Sequence, residues 1–415
     1  MQNRIILILL LLGILIPDKP SFADNLALVG ARIYPSPIAA PIENGTILIR
    51  DGRIYAVGLT AKIKPPRGAM VLDCKGLVVT AGFWNNHVHI LTQGLMHAEE
   101  LPAEKISSQL EEMLIRWGFT TVFDVASVLD NTNTIRRRIA SGEVIGPRIL
   151  TVGDPFYPKG GTPVYVKGFL EANHIPSAEV ESVSQAVERE RRQIRDGADG
   201  VKIFAASFAV GGQILPMPLE IAKAIVAEAH RAGKPVFVHP SNMEGIEIAV
   251  DSGVDVLAHT APLSGPWSPS LINRMRNNSM ALVPTLTLFE VEGKKFGESA
   301  EDIRSEMGTA LGQLRAYSDA GGQILFGTDV GYTDYFDTAE EFTLMARAGL
   351  NFRQILASLT TNPADRFGYS RQSGRIARGL QADLVVLDED PAKDVTAFAK
   401  VHYTIRGGKV IYTAH

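Results

Sequence analysis

Sulfur chemistry is nearly absent from this 415-residue chain, whose one cysteine is Cys74. A disulfide framework is therefore excluded, and stability has to come from a large apolar core. Neither sign of charge dominates, since 41 Lys and Arg stand against 45 Asp and Glu for a formal net charge of -4. A nucleic-acid surface usually announces itself as a strongly basic domain, so a small neutral or mixed-charge molecule is the better partner. No Gly-x-Ser-x-Gly elbow and no Gly-x-x-x-x-Gly-Lys loop occurs, which removes the serine-hydrolase and nucleotide readings. Repeats and low-complexity tracts are missing as well, so neither a solenoid nor a linker array is expected.

Long hydrophobic runs are scarce. The run Ile5 to Ile16, behind Arg4, has twelve residues, too few to span a bilayer comfortably. Pro17 and Pro20 break it, and Ser21-Phe22-Ala23 places small residues at -3 and -1 before Asp24. This predicts a signal peptide over 1–23, cleaved after Ala23, and a periplasmic or secreted protein with no membrane attachment after cleavage. A retained anchor is the alternative. Cleavage removes Arg4, Asp18 and Lys19, leaving 392 residues (415 minus 23) with a formal charge of -5.

What is present falls into two textures. From Leu26 to Val79 the apolar residues alternate in short runs, with Asp51-Gly52 between two of them as a hairpin signal. The same texture returns only at the far end, over Ala382 to Leu387 and around Gly407-Gly408. Neither piece has enough strands to bury both its faces, so 24–79 and 369–415 are expected to build one composite β-sandwich. Over 80–368 the period changes. The run into Phe83, then Thr120–Val125, Ile149–Val152, Val201–Phe204, Val236–His239, Val254–His259, Ala281–Pro284 and Ile324–Asp329 alternate with helical stretches such as Leu219–Ala232. Eight apolar strands in βα alternation predict an α/β fold with a (β/α)8 barrel. The charge-dense stretches Arg136–Arg138 and Glu188–Arg195 fall on predicted helices and read as solvated faces.

In such a barrel, function collects at the C-terminal ends of the strands. The first strand ends Asn85-Asn86-His87-Val88-His89, and histidines at i and i+2 on a strand point to one face, where both can reach one ion. The fourth places Lys202 among Val201, Ile203 and Phe204, where an ammonium is costly. The fifth ends at His239, the sixth at His259 and the eighth at Asp329. Each has a bland alternative: a rim histidine, an Asx turn at Asp329, a snorkelling Lys202. Four histidines, a lysine and an aspartate on five strand ends together point to a metal site. His230 reads as structural, and His97, His174, His402 and His415 have no evident partners.

These residues resemble the ligand set of the amidohydrolase superfamily, and Ala81-Gly82-Phe83, Thr361-Asn362-Pro363-Ala364 and Gly379-Leu380-Gln381-Ala382-Asp383-Leu384 agree with it. Within that superfamily the chain is most similar to the imidazolonepropionase-like group and its metallo-dipeptidase relatives, the prolidase-like and Xaa-Arg dipeptidases. The resemblance implies two divalent metal ions, zinc by preference. His87 and His89 would hold the inner ion, His239 and His259 the outer one, an N6-carboxylated Lys202 would bridge them, and Asp329 would complete the inner site. It implies hydrolysis of an amide or peptide C–N bond, in a dipeptide or N-acyl amino acid, by a metal-bridging hydroxide with Asp329 as catalytic proton shuttle. Asn85 stands where the superfamily often has Asp, so support of the metal ligands is expected to be arranged differently. Pro240-Ser241-Asn242 and the loop between Gly153 and Lys167 match no substrate signature. Tyr165, Lys159 and Tyr332 are candidate anchors for a substrate carboxylate by position. Imidazolonepropionases proper lack the bridging lysine, so Lys202 favours the two-metal relatives. A mononuclear cyclic amidohydrolase or deaminase, and a silent metal- or ligand-binding barrel, are the alternatives. A homo-oligomer is compatible with the sequence.

Overall fold

The computed structural model describes residues 25–414, so the apolar run Ile5–Ile16, the cleavage position after Ala23 and His415 lie outside the described residues. Among those described, no helix is long and apolar enough to cross a membrane.

Both ends of the chain supply one eight-stranded sheet. Leu26–Ile33, Ile42–Arg50, Arg53–Leu59, Met70–Asp73 and Val78–Ala81 come from the first end, and Leu384–Leu387, Val401–Arg406 and Lys409–Thr413 from the other. The seam is the antiparallel pairing of Val78–Ala81 with Leu384–Leu387, in which Ala81 faces Leu384 and Val78 faces Leu387. The Asp51-Gly52 hairpin forms as expected, with Arg50 opposite Arg53 and φ of 50° and 71° at the two turn residues, the primed-turn geometry that matches strand twist. Gly52 has a second reason to be glycine: a Cβ there would lie 2.9 Å from the Gly407 carbonyl oxygen. The two hairpin tips meet at that contact, and the sheet curls into a sandwich around Leu28, Ile33, Ile47, Val79, Leu384, Val386 and Ile405. Cys74 is a buried free thiol of this core.

Between the two ends runs the barrel. Its strands are β1 (Phe83–Val88), β2 (Phe119–Asp124), β3 (Arg148–Thr151), β4 (Val201–Phe204), β5 (Val236–His239), β6 (Val256–Ala258), β7 (Ala281–Val283) and β8 (Gln323–Ile324). They form two parallel arcs, β1–β3 and β4–β8. A few backbone bonds close each gap. Phe156 N–H donates to Lys202 O at 2.8 Å and Phe204 N–H to Phe156 O at 2.9 Å on one side, and Asn86 N–H donates to Phe326 O and His89 N–H to Val330 O, both at 2.8 Å, on the other. Trp84, Phe123, Leu150, Phe237, Val256, Val283 and Leu325 fill the interior. Two strands end before the residues expected to close them. β6 stops at Ala258, next to His259 with φ of 73°, and β8 stops at Ile324, five residues before Asp329 with φ of 62°. Both residues are functional candidates, and the backbone turns out of the sheet to present them.

The charged helices are less solvated than expected. Glu188–Arg195 lies in helix Val183–Arg195, but Glu190 and Gln193 are buried on its inner side. Arg138, in helix Leu129–Ala140, donates to the Ala98 and Leu101 carbonyls at 2.5 and 2.7 Å.

Candidate metal centre

The C-terminal ends of β1, β4, β5, β6 and β8 converge on Asp329. His89 Nε2 lies 2.7 Å from Asp329 Oδ1, His87 Nε2 3.3 Å from the same oxygen, and His259 Nε2 3.7 Å from Oδ2. Donor atoms of His87, His259 and Asp329 fall within 4.8 Å of one another, the spacing one ion needs. The His239 ring is 5.0 Å from that of His259, stacked on Phe204 at 4.7 Å. Lys202 lines the same space. All six residues expected as metal ligands thus border one cavity.

Two imidazoles have their free nitrogen fixed. His89 Nδ1–H donates to the Ala126 carbonyl at 2.9 Å, which turns Nε2 toward Asp329. Thr285 Oγ1 donates to Pro284 O, so it accepts from His259 Nδ1–H at 2.6 Å, which frees Nε2. Thr285 itself has φ 43° at the start of helix Leu286–Phe296. That helix has no side-chain cap of its own; buried Glu341 accepts from Leu286 N, Thr287 N and Thr287 Oγ1 at 2.8–2.9 Å instead.

Electrostatics favour the ligand forms at every site residue but His89. Burial pushes His87 down to about 4 and His239 to about 3, and drives His259 well below its ordinary value. Burial opposes the charge on His89 too, but its contact with Asp329 outweighs this and holds it above the usual value. For Asp329 burial raises the pKa, while His87 and His89 overcome it and keep the carboxyl ionised well below the usual range. Lys202 is brought down by burial to about 7, with only Asp329 pulling the other way.

A divalent cation fits this donor set. Both ring nitrogens of His87, Nε2 of His239 and Oδ1 of Asp329 are buried without a well-aligned hydrogen bond, an arrangement native interiors avoid, although His89 and His87 approach that oxygen to 2.7 and 3.3 Å. Neutral imidazoles and a carboxylate around one point are zinc-type donors.

Asn85 holds backbone rather than imidazole: its Oδ1 accepts from His87 N–H at 3.2 Å and its Nδ2 donates to Thr328 Oγ1 at 2.7 Å. A buried carboxylate not anticipated from sequence, Asp124 at the end of β2, does more. It accepts from Ile90 N–H at 3.2 Å, from Thr151 Oγ1 at 2.6 Å and from Ser127 Oγ. It thereby ties β1, β2 and β3 to the loop that offers the Ala126 carbonyl to His89. Burial raises its pKa against those bonds. Its signal in the sequence was the same as that of Lys202, a charge in an apolar strand.

Above the cluster opens a cavity of about 560 Å³. Tyr165 and Tyr332 line it with rings 5.2 Å apart, and Tyr332 is 6.5 Å from His89. Lys159 does not reach it: the side chain is exposed and paired with Glu181 at 2.9 Å, because the Tyr157–Pro158 strand turns it to the surface. The lysine on the cavity's outer wall is Lys295, 5.2 Å from the Tyr332 ring, beside Glu292, which accepts from Tyr332 OH at 2.5 Å. Burial lifts Glu292 to about 7. Both sit on a helix that reads in sequence as ordinary, and only the fold aims them inward. Of the remaining histidines, His230 pairs with Asp255 and is structural, and His402 pairs with Asp388 across neighbouring surface segments, a partner the sequence reading missed.

Comparison with known proteins agrees with this geometry. Ochratoxinase from Aspergillus niger is 25% identical, covering 89% of this chain and 83% of that protein. Imidazolonepropionase from Thermoplasma acidophilum is 23% identical, covering 89% of this chain and 90% of that protein. A solved Xaa-Pro dipeptidase with methionine bound in its active site superposes with a TM-score of 0.79 at 23% identity, over 94% of this chain and 100% of the other. The profile of the amidohydrolase family matches residues 78–411, from the last N-terminal sandwich strand through the whole barrel to the C-terminal strands, and the chain therefore belongs to that family of metal-dependent carbon–nitrogen hydrolases.

Proposed function

We propose that this protein is an exported, binuclear zinc amidohydrolase that cleaves the C–N bond of a small amide, a dipeptide or an N-acyl amino acid. The observation that carries the reading is the convergence of four histidines, Lys202 and Asp329 beneath one cavity, with donor atoms left unpartnered there. His87, His89 and Asp329 would hold one ion, His239 and His259 a second, and carboxylated Lys202 would join them. When bound, the metals supply Lewis acidity, polarising a carbonyl and acidifying water.

The chain's own residues divide the remaining work. Lys202 must be a neutral amine to form the carbamate, in which an N–C bond to carbon dioxide forms and a proton leaves to solvent; burial supports this by lowering its pKa to about 7. Asp329, held ionised by its imidazole neighbours, takes a proton from the attacking water and returns it to the leaving nitrogen. Water thus adds to the carbonyl carbon, the C–N bond breaks, and an amine and a carboxylic acid leave with no change of oxidation state. Tyr332, Tyr165 and Lys295 border the space the leaving group must occupy, and Lys295 replaces Lys159 as the cation available to a substrate carboxylate.

The test is metal content and turnover on the same sample. Close to two zinc ions per chain, a carbamate signal from carbon-13 bicarbonate and hydrolysis of dipeptides or N-acyl amino acids are expected. One ion per chain, retained when Lys202 is changed to alanine, would point to the mononuclear alternative. Two ions with no amide turned over would point to the silent barrel. Export is supported by the run Ile5–Ile16 and the residues Ser21–Ala23. A mature protein beginning at Asp24 in the periplasmic or secreted fraction is expected, and an intact Met1 in the membrane fraction would overturn it.

A further inference from the structure

We propose that one side of the scissile amide carries a bulky apolar group, a medium-length acyl chain or an aromatic ring. The proposal rests on the amide-hydrolase reading and adds the size and polarity of what the cavity takes. At about 560 Å³ the cavity sits in the range that encloses drug-sized ligands. A dipeptide of two small residues would leave much of it wet.

The wall is apolar in a way the core does not require. Helix Val164–Ala172 reads VYVKGFLEA, yet none of its residues is fully buried. An apolar helical stripe normally packs on a core. Here Val164, Tyr165, Val166, Phe169 and Leu170 border the cavity, while the helix's charged residues Lys167 and Glu171 do not. Two other segments repeat the pattern at the rim, where Leu263 and Phe296 are 55% and 58% exposed. Large apolar side chains from three separate loops, left in water around one opening, mark a surface that something apolar covers. Beyond the metal cluster, charge reaches the cavity only through Asp154 and through Glu292, Lys295, Glu298 and Glu306 in the segments after β7. The wall formed by the 164–176 segment, Phe208 and Leu263 has none. An extended acyl chain or ring laid along that wall would cover the stripe while its amide carbonyl faces Asp329.

The experiment uses the zinc-loaded mature chain and a series of N-acyl-alanines from acetyl through butanoyl and hexanoyl to octanoyl, with alanyl-proline alongside. kcat/KM is expected to rise about fourfold per methylene buried, and by at least about a hundredfold across the series once incomplete burial is allowed for. Leu263→Asp should cut the octanoyl value at least about tenfold more than the acetyl value. A flat or falling series with active acetyl-alanine or alanyl-proline overturns the apolar proposal and leaves the amidase reading standing. If no member is hydrolysed, the amidase reading fails and calorimetry decides the cavity separately. N-octylglycine binding at least about a hundredfold tighter than N-methylglycine upholds it, and equal binding overturns it. Sedimentation of the same sample checks the competing occupant, since a dimer that Leu263→Asp dissociates would mean that a second copy covers the rim.

Discussion

The sandwich and the barrel mouth bury polar groups in opposite ways. In the sandwich the buried hydroxyls of Thr46 and Thr404 are satisfied by the chain, Thr46 Oγ1 meeting Thr60 Oγ1 at 2.9 Å and Thr404 Oγ1 donating to Ile115 O at 2.7 Å, while Ser373 Oγ is left without a partner. At the mouth, His87 has two orphaned ring nitrogens, His239 one, and Asp329 an orphaned oxygen. Each unmatched group costs about 1–3 kcal/mol in a dry interior, and four of them within one cluster are tolerable only where a ligand completes them. The backbone differs too. Apart from glycines, positive φ in the sandwich falls on Asn44 and Asp51, residue types that tolerate it, whereas at the mouth it falls on Ser241, His259, Thr285 and Asp329. The mouth concentrates its unmatched groups in one cluster, as a binding site requires.

The sharpest way to break that contrast is Asp329→Asn, a change that keeps shape and removes the ionised carboxylate. kcat should fall about 10²–10⁴-fold, the range for a positioned acid–base group, with the sandwich unaffected. Activity within a few-fold of wild type would mean that the proton passes elsewhere. The complementary change is Ile47→Ala in the sandwich core, fully buried in its apolar cluster. It should cost about 2–4 kcal/mol of stability while leaving zinc stoichiometry and KM alone. A parallel loss of metal would show that the two regions are one cooperative unit.

The residues whose positions repeat with the backbone were readable in the sequence. His87 lies in β1 with His89 one residue past its end, His239 ends β5, and His259 and Asp329 follow the ends of β6 and β8, close to where their apolar runs put them. The composite sandwich was readable from two matching textures too short to stand alone. What escaped depends on loops and on the choice of helix face. Lys159 and Lys295 are both lysines near the end of the barrel where the loops gather, and nothing periodic tells which one a loop turns outward. Glu190 lies in a run dense with arginines and reads as solvent-facing, yet the amphipathic stripe of its helix carries it inward. Asp124 and Lys202 have the same signature, and only the tertiary contacts separate a residue that holds the scaffold from one that borders the candidate metal site.

Asp124 therefore sharpens the comparison within the mouth itself. Asp124→Asn keeps the size and loses charge-assisted acceptance from Thr151 and Ser127, loosening the loop whose Ala126 carbonyl orients His89. Zinc affinity, measured by chelator competition on the purified chain, should weaken about 10–100-fold, with a smaller loss of thermal stability. Unchanged affinity with a lowered melting temperature would make Asp124 structural only.

The smallest effect is expected far from both regions, at Glu190. Its side chain is buried with both carboxylate oxygens unpartnered, and burial, aided by nearby Glu228, lifts its pKa from an ordinary 4.5 to about 8. Between those values the folded chain holds a proton that the unfolded chain releases, so stability falls as pH rises from about 4.5 to about 8 and levels off above. Glu190→Gln replaces the proton-dependent group with a neutral one of the same shape. It should flatten that slope and gain on the order of 1 kcal/mol at pH about 9, where wild type must bury the charge, while making little difference at pH about 5. Urea titrations of both proteins at the two pH values measure this directly. If the wild-type slope survives the substitution, the acid-stabilising group lies elsewhere, and one place to look is another buried carboxyl with an elevated pKa, Glu341, where the same argument would then couple barrel stability to the helix that positions Thr285 and through it His259.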